Sequence, residues 1–211
     1  MTSSPGPTAP SDPRLAPKPA HPKVAAAHAA VLKALPFHDR QDFEDASRGF
    51  IDTYPDATIK APNGRTVWSM APYEFLRAET APATVHPSLW RQSQLNLNHG
   101  LYEVVPSLYQ VRGIDIANMT IVEGKTGIVV IDTLTSIESA RAALGLYFKH
   151  RGQRPVKAVV LTHTHTDHWG GLRGVVDEAD VKSGKIPIIA PDLFMEQIGR
   201  ASCRERVCLA V

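Results

Sequence analysis

The order of periodic segments in the second half of the chain predicts a layered α/β fold with a ligand-bearing loop at the carboxyl end of a buried strand. Three observations carry this expectation. LYEVVPSLYQVRG, NMTIVEG and GIVVIDT are short apolar runs from residue 101 onward, joined by turn residues, and read as consecutive strands that include a hairpin. SIESARAALGLYFKH then carries apolar residues at helical intervals until Gly152. VKAVVL, at Val156 to Leu161, is short and β-branched, follows Pro155 and leads straight into a polar stretch rich in histidine. Strands alternating with helices in this way bury a sheet beneath a helical layer, and functional groups in such folds sit where the strands end.

Upstream, residues 1–22 hold seven of the seventeen prolines among small polar residues and are expected to form a disordered leader, since so few apolar groups cannot offset the entropy of ordering. KVAAAHAAVLKAL has strong helix formers and meets Pro36, so a helix over Val24 to Leu35 is expected to stop near Ala34. Residues 37–100 give mixed signals: the Asp-rich DRQDFEDASRGF, a turn at Asn63 and Gly64, and a strand candidate over Thr66 to Met70. The helix after the hairpins is expected to open with a capping box from Thr135 to Glu138 and to close at Gly152 in a left-handed conformation. A last strand is expected over Ile186 to Ala190, behind a loop with Ser183, Gly184 and Lys185.

Composition narrows the function classes. With 43% hydrophobic and 21% charged residues in 211, the chain matches one ordinary globular domain. A formal net charge of +2 gives no electrostatic argument for a nucleic-acid partner. No run reaches the length of a spanning helix and no secretory signal opens the chain, so no membrane span and a cytoplasmic location are expected. Both cysteines, Cys203 and Cys208, lie in the last nine residues and supply neither a disulfide framework nor a metal knuckle.

The stretch after the VKAVVL strand reads Thr162, His163, Thr164, His165, Thr166, Asp167, His168, Trp169, Gly170, Gly171. In extended backbone, residues two apart share a side, so His163 and His165 are expected to present imidazoles to one cation. Once the chain turns, Asp167 and His168 are adjacent and are expected to splay toward a second. Gly170 and Gly171 leave room where the backbone passes close to the site. Four ligand-type residues in six positions point to a metal site. His21, His28, His38, His86, His99 and His150 are scattered and are read as solvated or core imidazoles. Mixed nitrogen and carboxylate donors favour zinc, and two such ions would acidify a shared water, which makes hydrolysis the expected chemistry.

HTHTDH resembles the HxHxDH signature of the metallo-β-lactamase superfamily, and that resemblance implies an αβ/βα sandwich with two zinc ions per complete site. It implies His163 and His165 as ligands of the first zinc, Asp167 and His168 as ligands of the second, and a catalytic part for Asp167 in orienting water. HPSLWRQSQLN, HGLYEVVPSLYQVRGIDIANMTIVEG and RPVKAVVLTHTHTDHWGGLRGVV further resemble the alkyl sulfatase branch, over about 39–197. This implies hydrolysis of linear alkyl sulfates such as dodecyl sulfate by a homodimeric full-length protein of which this is a truncated amino-terminal part, its remaining ligands lying further on. The resulting division is a leader at 1–22, a branch-specific segment at 23–100, a partial metallo-β-lactamase-like domain at 101–197 and a non-native tail at 198–211. The tail is read from IGRASCRERV, a peptide that resembles the translation of a common sequencing adapter. Two alternatives remain open here: another hydrolase of the superfamily, acting on a lactam, thioester, lactone or phosphodiester, or a non-catalytic metal-binding fragment.

Overall fold

The computed structural model describes residues 16, 18–54 and 57–198. The leader therefore falls largely outside the described residues, and so does all but the first residue of the 198–211 tail. Helix α1 (Pro22–Ala34) starts two residues before the expected Val24, because Pro22 takes the first helical position and the His21 ring accepts the Lys23 N–H at 3.3 Å. It ends where expected: Leu35, held extended by the following proline, stops it.

The segment that the sequence left unplaced is built from short pieces. These are α2 (Gln41–Ser47), strand β1 (Phe50–Asp52), the antiparallel pair β2 (Thr58–Lys60) and β3 (Thr66–Ser69), a 3₁₀ turn at Ala71–Arg77, and α3 (Pro87–Leu95). The turn expected at Asn63 and Gly64 closes a β2–β3 hairpin that the sequence did not foretell, with Gly64 at φ +82°.

Next come β4 (Gly100–Val105), β5 (Leu108–Arg112), β6 (Met119–Glu123) and β7 (Ile128–Ile131), all antiparallel neighbours as the hairpin signals predict. Helix α4 (Ile137–Arg151) crosses over to β8 (Val156–Val160), which lies parallel to β7, and β9 (Ile188–Ile189) adds a parallel edge. The seven-stranded order is β1-β4-β5-β6-β7-β8-β9, one sheet with a helical layer, the αβ half of the expected sandwich. β9 is shorter than the Ile186 to Ala190 run.

One expectation about α4 fails. Its cap is Ser136, whose hydroxyl accepts the Ser139 N–H at 3.0 Å, and not Thr135. Thr135 instead donates its hydroxyl to the Asp115 carboxylate at 2.5 Å, which withdraws it from the helix. The other end behaves as expected, with Gly152 at φ +75° and its N–H on Phe148.

Leu101, Val111, Met119, Ile121, Ile128, Val130 and Val159 fill the sheet side of the core, and Ala140, Ala143, Leu144 and Tyr147 fill the α4 side. Tyr109 meets Tyr147 edge to face with ring centroids 5.6 Å apart. At the far end of β6, Glu123, only 6% exposed, pairs with Arg151 at 3.0 Å and accepts the Tyr147 hydroxyl at 2.8 Å. The Arg151 hydrogen bond holds this carboxyl below the usual carboxylate range. A depressed folded value contributes stability above the unfolded pKa, about 4.3, and loses it as the pH falls through the folded value. Glu123→Gln is expected to cost about 2 kcal/mol at pH 7, less than for a fully buried pair because Arg151 is 38% exposed. Urea midpoints should show that gap at pH 7 and a narrower one below about pH 4.

Candidate metal centre

Parallel pairing of β7 with β8 sets Ile131 opposite Val160, so both strands leave the sheet at the same edge. The chain after β8 bends through His163–His165 and forms α5 (Thr166–Trp169), a single turn, before α6 (Leu172–Val175). All four sequence-predicted residues therefore lie at the carboxyl end of a buried strand, where they were expected.

Their mutual arrangement differs in two ways. His163–His165 is a bend and not extended backbone, yet the two rings still meet, Nε2 of His163 lying 3.1 Å from Nδ1 of His165. Asp167 and His168 do not splay apart. His168 Nε2 lies 3.3 Å from Asp167 Oδ2, and the His168 and His163 ring centroids are 3.9 Å apart. The cause is α5 itself: a helical turn starting at Thr166 swings His168 back over the bend that holds His163. Among the described residues, no three His, Cys, Asp or Glu side chains are disposed as a metal shell. Instead the His163 and His165 rings hydrogen bond to each other, and His168 to the Asp132 carboxylate.

Asp132 organises this cluster, and the sequence reading missed it. It follows β7 directly, is nearly buried, and has φ +58°. Its carboxylate accepts the Thr162 N–H at 2.8 Å and the Thr162 hydroxyl at 2.8 Å, and lies 2.7 Å from His168 Nδ1. A carboxylate only accepts, so the contact places a proton on His168 Nδ1 and turns Nε2 toward Asp167. A carboxylate behind an imidazole is the arrangement that fixes tautomer and ring orientation in metal-ligating histidines. The signal for it was present: an acidic residue ending the strand next to the one that delivers the motif.

Gly170 and Gly171 matter through closeness, since both have negative φ. A Cβ on Gly170 would stand 2.3 Å from the Thr135 carbonyl oxygen, and one on Gly171 would stand 2.0 Å from that of Thr133. The His168 carbonyl accepts the Thr133 N–H at 2.8 Å, and the Leu134 carbonyl accepts the Gly171 N–H at 2.8 Å. The segment after β7 and the histidine turn are thus zipped together by backbone.

Of the scattered histidines, His21 and His86 cap α1 and α3, and His150 lies 2.7 Å from Asp52 with Lys149 on the same carboxylate. The donor set at the turn, three imidazoles and Asp167 with Asp132 behind them, suits a divalent transition metal in chemistry.

Comparison with known proteins agrees with this geometry. Residues 112–204 match the model of the metallo-beta-lactamase superfamily. An (R)-specific secondary-alkylsulfatase of Pseudomonas sp. is 57% identical over 179 residues, 85% of this chain and 27% of its own length. A linear primary-alkylsulfatase of Pseudomonas sp. is 54% identical over 180 residues, 85% of this chain and 27% of its own. The structure of the stereoselective inverting sec-alkylsulfatase Pisa1 from Pseudomonas sp. superposes with a TM-score of 0.80 at 57% identity, covering 86% of this chain and 28% of that one. The chain therefore spans little more than a quarter of the length of these relatives. With its mixed sheet and its histidine turn at the carboxyl end of β8, the chain is similar over residues 112–204 to the metallo-β-lactamase superfamily, and over most of its length to a part of the alkylsulfatases.

Proposed function

We propose that this chain carries the metal-ligating turn of a zinc-dependent hydrolase that removes sulfate from alkyl sulfate esters, linear ones such as dodecyl sulfate included. The observation that carries the reading is the gathering of His163, His165, Asp167 and His168 around the end of β8, with Asp132 fixing His168, in a chain 57% identical to an alkylsulfatase. His163 and His165 would hold one ion, and Asp167 and His168 a second. Zinc, when bound, supplies the positive charge that polarises the ester and favours departure of sulfate. The protein's own part is positional. Asp132 keeps the His168 proton on Nδ1, the zipped backbone holds the turn against the sheet, and Asp167 accepts a hydrogen bond from the attacking water and orients it. Two ions per complete site and a homodimeric whole protein belong to the same proposal, and so does the division at residues 22, 100 and 197.

The overall change is alkyl sulfate plus water to alcohol plus hydrogen sulfate. One relative is described as inverting, and inversion at carbon requires that the C–O bond break and that oxygen from water end on the alcohol. Hydrolysis in ¹⁸O-labelled water by the whole protein is therefore expected to place the label in the alcohol, read by mass spectrometry; label in the sulfate would mean attack at sulfur. Sulfate release from dodecyl sulfate that is zinc-dependent and lost in His168→Ala tests the reading as a whole. Zinc-independent release, or full activity in the variant, would overturn it.

A further inference from the structure

Asp115 is a buried carboxylate to which the functional reading above gives no part. It lies in the connection of residues 113–118 between β5 and β6 and is 7% exposed. Its oxygens accept the Ile116 N–H at 2.7 Å, the Thr135 N–H at 3.2 Å and the Thr135 hydroxyl at 2.5 Å. All three donors are neutral, and among the described residues no cation pairs with it. A carboxylate taken out of water on neutral donors alone is costly, and a satisfied buried group of this kind rigidifies what it binds.

What it binds is the end of a strained stretch. Asp132 and Leu134 have φ +58° and +66°, left-handed values that residues with a side chain rarely hold, and Leu134 is fully buried. Such backbone persists only where the surrounding contacts over-determine it. On one side those contacts come from β8 and the histidine turn. The Asp132 N–H donates to the Val160 carbonyl at 2.9 Å, the Thr133 N–H to the His168 carbonyl at 2.8 Å, and the Gly171 N–H to the Leu134 carbonyl at 2.8 Å. On the other side Asp115 holds Thr135 by its N–H and its hydroxyl together, just before Ser136 caps α4.

The anchor is itself fixed. Ile114 and Ala117, on either side of Asp115, belong to the core, and Trp68 Nε1 donates to the Gly113 carbonyl at 3.0 Å. The Thr135 carbonyl oxygen in turn packs on Gly170, where an added Cβ would stand 2.3 Å from it. Through Thr135, then, a carboxylate tied to the core reaches both Asp132, three residues earlier, and the turn that carries His168.

Resting on the functional reading above, we infer that Asp115 is a positioning residue for His168: it pins the 132–135 segment so that the Asp132 carboxylate meets His168 Nδ1 at 2.7 Å. Asp115 touches neither metal nor substrate in this assignment and acts through Asp132. The test is a double-variant cycle in zinc affinity, joined to a measurement on the zinc-free chain. Asp115→Ala is expected to weaken zinc binding about tenfold, the lower end of what is lost when the group behind a metal-ligating histidine is removed. Added to Asp132→Ala, it is expected to weaken binding no further than about twofold, since both changes break one link. In the zinc-free chain the His168 Nδ1 proton, held on Asp132, should give a ring N–H signal in ¹H–¹⁵N NMR spectra, lost in Asp115→Ala as in Asp132→Ala. Thr135 is exposed, so Thr135→Val removes the hydroxyl bond with little burden on folding and decides the matter even where Asp115→Ala does not fold. It should weaken the signal, and zinc binding about threefold, and Thr135→Ser, which keeps the hydroxyl, should restore both. Glu123→Gln, which lowers stability at the far end of β6, should change neither. Losses that add in the double variant, a signal absent from the parent or intact in Asp115→Ala and Thr135→Val, or an equal loss in Glu123→Gln would overturn the assignment. A parent chain that binds no zinc, yet loses the His168 signal in Asp115→Ala, would overturn the functional reading and leave the hold of Asp115 on His168 standing.

Discussion

Replacing His163 and His165 together with alanine is expected to abolish zinc retention, with the metal content measured by native mass spectrometry or atomic absorption falling to background. Nε2 of His163 and Nδ1 of His165 stand 3.1 Å apart, and each zinc–imidazole bond needs a neutral ring with a free lone pair. Removing both leaves Asp167 and His168, too few donors for a closed shell. Asp132→Ala should have a smaller effect of the same kind, about 10- to 100-fold in affinity, because it frees the His168 tautomer and orientation without removing a ligand. That ordering separates direct ligation from positioning. Equal zinc in parent and double variant would remove the metal assignment, and an Asp132→Ala loss as large as the double variant's would mean that Asp132 is itself a ligand.

The strands and α4 were legible because their patterns are long or strongly apolar: LYEVVPSLYQVR alternates about a tight turn, and the residues from Ile137 to Arg151 carry an apolar stripe into Gly152. Residues 37–100 were not, because elements of three or four residues are specified by what they pack on. Trp68, for example, is placed by its bond to the Gly113 carbonyl 45 positions away. At the site, the identity of the clustered residues could be read from HTHTDH, whereas their arrangement could not. Extended geometry was assumed for His163 to His165, but the onset of α5 at Thr166 bends the chain and carries His168 onto His163. Asp132 escaped because it lies 36 residues from His168, and only the parallel register of β7 on β8 brings the two together. Thr135 was misassigned as a cap for a related reason: its partner, Asp115, is 20 residues upstream.

Gly171→Ala is expected to be the most damaging single-methyl change near the site, while Gly145→Ala should stabilise. A Cβ at 171 would stand 2.0 Å from the Thr133 carbonyl oxygen, 2.6 Å from that of Ser136 and 2.8 Å from the Ala140 Cβ. Two of these are backbone atoms and the third belongs to α4, so no flexible side chain can move aside. The 133–136 segment and the start of α6 must separate, breaking the Gly171 N–H bond to the Leu134 carbonyl and loosening the Thr133 N–H bond to the His168 carbonyl. Overpacking of this kind costs about 3 kcal/mol, which for a chain of this size lowers the melting temperature by about 10 °C. Because the strain falls on the backbone that holds His168, zinc affinity should fall with it. Gly145, in the middle of α4, has nothing within 4 Å of an added Cβ, so there alanine contributes its better helix propensity, about 1 kcal/mol. Paired denaturant titrations test this, a shift in midpoint at constant slope being the signature of changed stability. A Gly171→Ala chain that melts with the parent would show that the turn can move away from the segment after β7, and the zipped backbone would then no longer account for how His168 is held.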